Sequence, residues 1–154
     1  MPTFDYKFTV NAPLSAVANF HSDTRVLKRL TPPPLYMQIH QFDPLQEGAQ
    51  AHFTMWVGPI PLKWHAHHHD FDPLHGFTDT QVDGPMAKWV HTHRFDAINH
   101  NQTVVHEHIE FEHPRGPRGL FTRLLFNPPG LYLLFTYRQL VTRWYTRHAQ
   151  PKIA

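Results

Sequence analysis

Two histidines two residues apart, His91 and His93, stand in the run from Lys88 to Phe95. Imidazole titrates nearest neutrality of all side chains, so such a pair can move protons, hydrogen-bond a polar ligand or hold a metal. On a strand, residues two apart share a face. Lys88, Thr92 and Arg94 suit water, which turns Trp89, His91, His93 and Phe95 inward. A tight link around 99–102 folds the chain back so that facing residues sum to about 200. Phe95 then faces Val105, His93 faces Glu107, His91 faces Ile109 and Trp89 faces Phe111. The turn at Gly84-Pro85 likewise brings Asp79 near His91 and Gln81 near Trp89. Asp79, Gln81, His91, His93 and Glu107 are expected as one polar patch on an otherwise aromatic wall.

Three readings of that patch stand side by side. In the plainest, acids and imidazoles satisfy one another as a structural network, with Arg138 as the cation. In the second, they recognise the polar end of an otherwise apolar ligand. In the third they are chemical: His91 and His93 as joint metal ligands with an oxygen from Asp79 or Glu107, or His93 with Glu107 (or His91 with Asp79) as a base and its orienting carboxylate. Nothing in the spacing requires a metal or cofactor, and none is expected. The chain has no Gly-x-Ser-x-Gly motif, phosphate-binding glycine loop or dinucleotide fingerprint. Without cysteine it has no thiol nucleophile, thiolate zinc site or disulfide. In the run His67-His68-His69, residues 67 and 69 share a face, which reads as adventitious surface metal binding. If Trp64 sets even numbers inward on that strand, His68 joins the inner patch; the loop at Asp72–His75 leaves both parities open.

The elements that must position these groups follow from periodicity. Thr3–Val10 alternates as a half-buried strand. A short helix opens at Asn11-Ala-Pro13 and runs through Phe20; a second, about Thr24–Leu30, is capped by Asp23 and ended by Pro32-Pro-Pro34. Strands are expected near Tyr36–Phe42, Ala49–Val57, Leu62–Asp70, Phe77–Val82, Lys88–Asp96 and Val104–Glu112, with links short enough for an antiparallel meander. After a proline-glycine loop and an ill-defined apolar stretch, Leu120–Phe126, Asn127-Pro-Pro129 starts a long helix that nothing breaks before Pro151. Leu131, Leu134, Phe135, Arg138, Val141 and Tyr145 form its apolar stripe, with Leu133, Tyr137, Leu140 and Trp144 widening it. The expectation is an α+β fold in which a seven-stranded curved antiparallel sheet wraps the terminal helix, with two short helices between strands one and two. Space between a curved sheet and one helix is the natural place for a ligand.

Composition bounds the rest. One domain is the default for 154 residues. No apolar run approaches the ~20 residues of a membrane span, and Met1–Val10 has no signal-peptide core, so a cytoplasmic protein without integral membrane association is expected. A formal charge of +2 does not point to nucleic acid. Residues 115–147 carry six arginines and no acid, which reads as a solvated helix face more readily than as a docking surface. Each of the 15 histidines adds one charge in acid, so full protonation takes +2 to +17 and acid sensitivity follows.

Several motifs carry a family likeness. They are Phe77-Thr-Asp79-Thr-Gln81-Val-Asp-Gly84-Pro85 and Trp89-Val-His91-Thr-His93-Arg-Phe95, supported by Ala12-Pro-Leu14, Leu30-Thr-Pro-Pro33, Trp64 and Phe135-Thr-Tyr-Arg138. With the order of elements, they resemble the SRPBCC superfamily of START-like, birch-pollen-allergen-like helix-grip proteins, and more narrowly its ligand-binding group related to polyketide cyclase/dehydrase proteins. The resemblance implies a single such domain over 1–154 with a hydrophobic cavity between sheet and helix. That superfamily includes lipid carriers, hormone and polyketide binders, aromatic-ring cyclases and co-chaperones. The expected function is binding or transport of a small hydrophobic molecule (lipid, polyketide or aromatic compound). Trp64, Trp89, Phe111 and Phe135 would line its site, and Asp79, Gln81, His91, His93, Glu107 and Arg138 would give it a polar end. The alternatives are a cyclase/dehydratase-like enzyme and a protein-interaction module using the basic terminal helix.

Overall fold

The period-two pattern is realised as seven strands: β1 (Thr3–Val10), β2 (Tyr36–Phe42), β3 (Gln50–Val57), β4 (Ile60–Asp72), β5 (Gly76–Asp83), β6 (Lys88–Asn99) and β7 (Gln102–Glu112). They form one curved sheet in the order β1-β7-β6-β5-β4-β3-β2, antiparallel throughout. The computed structural model describes residues 2–22 and 25–148. Asp23, the expected cap of the second short helix, and Pro151 lie outside the described residues. Between β1 and β2 run α1 (Leu14–Ser22) and α2 (Val26–Arg29); α3 (Pro117–Leu125) and α4 (Pro128–Thr146) close the chain.

The register that matters is the expected one. In β6 and β7, Trp89 faces Phe111, His91 faces Ile109, His93 faces Glu107 and Phe95 faces Val105. Asp79 of β5 faces His91 from the other side. Inward residues alternate without a break: Trp89, His91, His93 and Phe95 are buried, as are Val105, Glu107, Ile109 and Phe111. Register slips at Ile39/Gln41, His65/Ala66, His69/Asp72 and Ala97/Asn99 add twist that bends the strands.

α4 begins as its sequence dictates. The Asn127 side chain accepts the Gly130 N–H at 2.7 Å, and prolines fill the first turn, where their missing N–H costs nothing. Its 19 residues span about 28 Å. Leu131 and Phe135 are fully buried against the sheet, and Phe135 meets Phe4 and Tyr6 of β1 at ring separations of 5.6 and 6.0 Å. The Tyr6 hydroxyl bonds to Thr136 and Gln139 on the same helix.

Three expectations change. All of the stretch Leu120–Phe126 but its last residue belongs to a helix, α3, whose start at Gly116-Pro117 has no side-chain cap to announce it. Leu133, Leu140 and Trp144 face solvent, so the apolar stripe is narrower than the sequence implied. Tyr145 is also exposed, although it stacks on Phe20 at 5.8 Å.

Gly76 fixes β5 against β6. Its φ is 124°, and a Cβ there would lie 1.8 Å from the His93 carbonyl oxygen. No other residue fits that conformation and that approach. Gly76→Ala should lower the unfolding free energy by roughly 1–3 kcal/mol, read as an earlier midpoint in urea denaturation.

Candidate functional site

Between the concave face of the sheet and α4 lies a cavity of about 140 Å³, measured as space open to the centre of a water-sized sphere. By that measure one water needs about 10–15 Å³, so there is room for a small organic molecule. Its walls are mainly apolar and aromatic, with Trp64, Trp89, Phe126 and Phe135 prominent. A second hollow of about 230 Å³, between the α2–β2 connection and α4, shares Met37, Met55, Phe126, Leu134 and Arg138 with it. A roomier cleft of about 610 Å³ under α3, reaching Lys63, Asp83 and Arg118, holds none of the inner polar residues. The chemistry therefore belongs to the inner cavity.

Asp79, His91, His93 and Glu107 meet on the sheet wall. His91 Nε2 is 2.7 Å from Glu107 Oε2, and His93 Nε2 is 2.9 Å from Asp79 Oδ2. His93 Nδ1 also lies 2.8 Å from Glu107 Oε2, close enough for an ion pair but out of line for a hydrogen bond. His91 Nδ1 stands 3.7 Å from Asp79 Oδ2. The two imidazole rings are 3.8 Å apart between centroids.

Burial alone would push His93 down, but the Glu107 charge and the hydrogen bond to Asp79 overcome it and carry His93 up to about 9. His91 goes the other way: burial and the neighbouring His93 charge outweigh Glu107, leaving it neutral. Burial also opposes ionisation of Glu107, yet the two imidazoles hold it well below its ordinary value. Asp79 behaves likewise: burial opposes its ionisation, and the His93 hydrogen bond together with the His93 charge overcomes it. At neutral pH the cluster is two carboxylates, one imidazolium and one neutral imidazole, titrating as a coupled unit.

The expected residues separate here. Trp64, Trp89, Phe135, Asp79, His91, His93 and Arg138 all line the cavity. Glu107 sits behind the two imidazoles, and Phe111 packs beside Trp89 at 6.3 Å in the core. Gln81 leaves the patch. Its amide donates to the Met86 carbonyl at 2.7 Å and accepts the Met86 N–H at 3.1 Å, bracing the β5–β6 turn. Arg138 is half-buried in the wall, but among the described residues it forms no ion pair with a carboxylate. The cation that neutralises the acids is His93. The Arg138 Nε–H donates to the Leu30 carbonyl at 3.3 Å, leaving its terminal N–H groups without a hydrogen bond among the described residues.

His68 does face inward, buried against Phe77 at a ring separation of 5.5 Å, with Nδ1 unpartnered. His67 and His69 stack on the outer face at 5.7 Å, as strand parity requires. The sequence reading missed His21. Its Nδ1 lies 2.8 Å from the Val17 carbonyl one helical turn back, so Nδ1–H donates and bare Nε2 belongs to a ring on the cavity wall. Burial pushes His21 down to about 4. Its four-residue spacing from Val17 on α1 was the available signal.

Comparison with solved structures places this architecture. A protein from Chromobacterium violaceum superposes with a TM-score of 0.76 at 13% identity, over 95% of this chain and 98% of its own. An aromatase/cyclase from Streptomyces sp. R1128 gives 0.75 at 13% identity, over 95% and 93%. This is the helix-grip fold. A norcoclaurine synthase point mutant from Thalictrum flavum, in complex with a transition-state analogue, shares the helix grip at 12% identity and 0.64, over 96% and 95%. No family model and no curated protein matches the chain. The helix grip implied by the sequence resemblance is thus borne out as a fold.

The shifted groups set a pH dependence. The pKa of His93 rises on folding from 6.5 to about 9, so its contribution is full below about pH 6.5 and is lost as pH climbs through 9. The pKa of His21 falls on folding from 6.5 to about 4, so stability is lost as pH falls through that interval. Each arm amounts to roughly 3 kcal/mol. Urea midpoints measured from pH 4 to 9.5 should pass through a maximum, and His93→Asn should flatten the alkaline arm.

Proposed function

We propose that this chain binds a small, mostly apolar molecule ending in an acidic or carbonyl oxygen. The observation that carries this reading is the state of Arg138. Most polar groups on the wall are engaged with one another, whereas this guanidinium reaches an aromatic cavity with terminal donors free among the described residues. A planar fork of N–H groups suits a carboxylate or enolate oxygen, and the rings of Trp64, Trp89, Phe126 and Phe135 suit the body behind it.

The other readings have less support. A cyclase or dehydratase using His93 as base needs a neutral ring, and Asp79 and Glu107 hold His93 as a cation. An interaction module on the basic helix needs free arginines. Arg143 donates to the Thr9 carbonyl through Nε and Nη2, and Arg147 stacks on Trp144 at 3.5 Å.

Calorimetric titration with 2-naphthoate, together with native mass spectrometry of freshly purified protein, tests the proposal. Saturable binding is expected, with Ala66→Trp abolishing it by filling the cavity and Arg138→Met weakening it about tenfold, or 1.4 kcal/mol. Wild-type protein that carries no copurifying small molecule and gives no heat with 2-naphthoate would count against it, as would a fully folded Ala66→Trp variant that binds normally.

A further inference from the structure

The arrangement of His91 and His93 asks more of the site than ligand polarity explains. Both rings direct one nitrogen toward the same atom, Glu107 Oε2, at 2.7 and 2.8 Å. Their other nitrogens, His91 Nδ1 and His93 Nε2, converge on Asp79 Oδ2 at 3.7 and 2.9 Å. One ligand atom from each of Asp79, His91 and His93 lies within 4.8 Å of the other two. Ligand atoms about 2.1 Å from a metal stand roughly 3.0–3.4 Å apart, which those separations bracket. A carboxylate behind a ligating imidazole is the usual outer support of a metal-binding histidine; Glu107 gives that support to His91 by a hydrogen bond and stands 2.8 Å from His93 Nδ1, out of line.

The tautomers agree. His91 donates Nε2–H to Glu107, so Nδ1 presents a lone pair toward a carboxylate oxygen with no proton between them. A cation at that point would satisfy both. His93 already has a positive charge in the equivalent position, the proton between Nε2 and Asp79.

We propose that Asp79, His91 and His93 form a site for one divalent first-row transition-metal ion, open toward the cavity and braced by Glu107. Two imidazoles and one carboxylate leave coordination positions for water or for the oxygen of a bound molecule, a donor set suited to Fe²⁺ or Zn²⁺. The ion takes the lone pairs of His91 Nδ1 and His93 Nε2 and an oxygen of Asp79, and any proton held at His93 Nε2 leaves as H⁺. The site stands on side-chain geometry and is independent of the organic ligand.

The surface offers a competitor. Asp5, His106 and His108 also cluster, with both imidazoles 2.8 Å from Asp5 Oδ1. There, however, Lys7 and Arg94 sit opposite His106 on the flanking strands, and all three ligands are partly exposed to water.

The test titrates chelator-washed full-length protein with Co²⁺, following visible d–d absorption and metal content after dialysis. One retained equivalent is expected. Asp79→Asn and His91→Asn should each weaken retention at least 100-fold, Glu107→Gln 10- to 100-fold, and the double variant His106→Asn/His108→Asn should keep it. If an inner variant fails to fold, imidazole NMR of wild-type protein decides: Co²⁺ should broaden the His91 and His93 signals before those of His106 and His108. No retained equivalent, loss that follows the His106/His108 variant, or broadening confined to surface rings would overturn the proposal.

Discussion

Two carboxylates on the concave face of a sheet are the constraint around which this molecule is built. Neither Asp79 nor Glu107 can remain ionised among Trp89, Phe77 and Phe135 without a counter-charge, because transfer of a bare carboxylate from water costs far more than any single contact returns. The counter-charge is His93, one residue on β6 reaching one acid on each flanking strand. β5, β6 and β7 must therefore keep one register, and Gly76 permits the close approach of β5 that this register demands. A slip of one residue would put both acids on the outer face and strand the imidazoles.

That part of the site was legible in the sequence for a simple reason. The turns on either side of β6 are short, and on β6 the aromatic and imidazole residues at 89, 91, 93 and 95 alternate with outward residues such as Lys88, Thr92 and Arg94, so parity and register could be counted. Asp79 opposite His91 and Glu107 opposite His93 emerged from that counting. What parity cannot give is a side chain's choice of partner. Gln81 turns aside to the Met86 backbone, and Arg138 reaches the cavity without touching an acid. His21 escaped because the sequence reading ended the first helix at Phe20, one residue short of it, whereas α1 runs through Ser22.

The helices show the same division. Asn127 followed by two prolines announces α4 by the chemistry of its first turn, whereas α3 starts without a side-chain cap and exposes Leu120 and Leu124. On α4 the apolar residues exceed what the sheet can cover. Leu131 and Phe135 go in, while Leu133, Leu140 and Trp144 stay out. Helical spacing names the candidates for burial, and the area of the opposing surface decides how many are accepted.

The two hollows beside α4 meet at Arg138, with Met37, Met55, Phe126 and Leu134 common to both. Aromatic rings dominate the walls of the inner one, whereas the other is walled mainly by leucines and methionines. A guest too long for one chamber would have to pass the guanidinium to reach the other. Slenderness, more than bulk, is what this interior would reward.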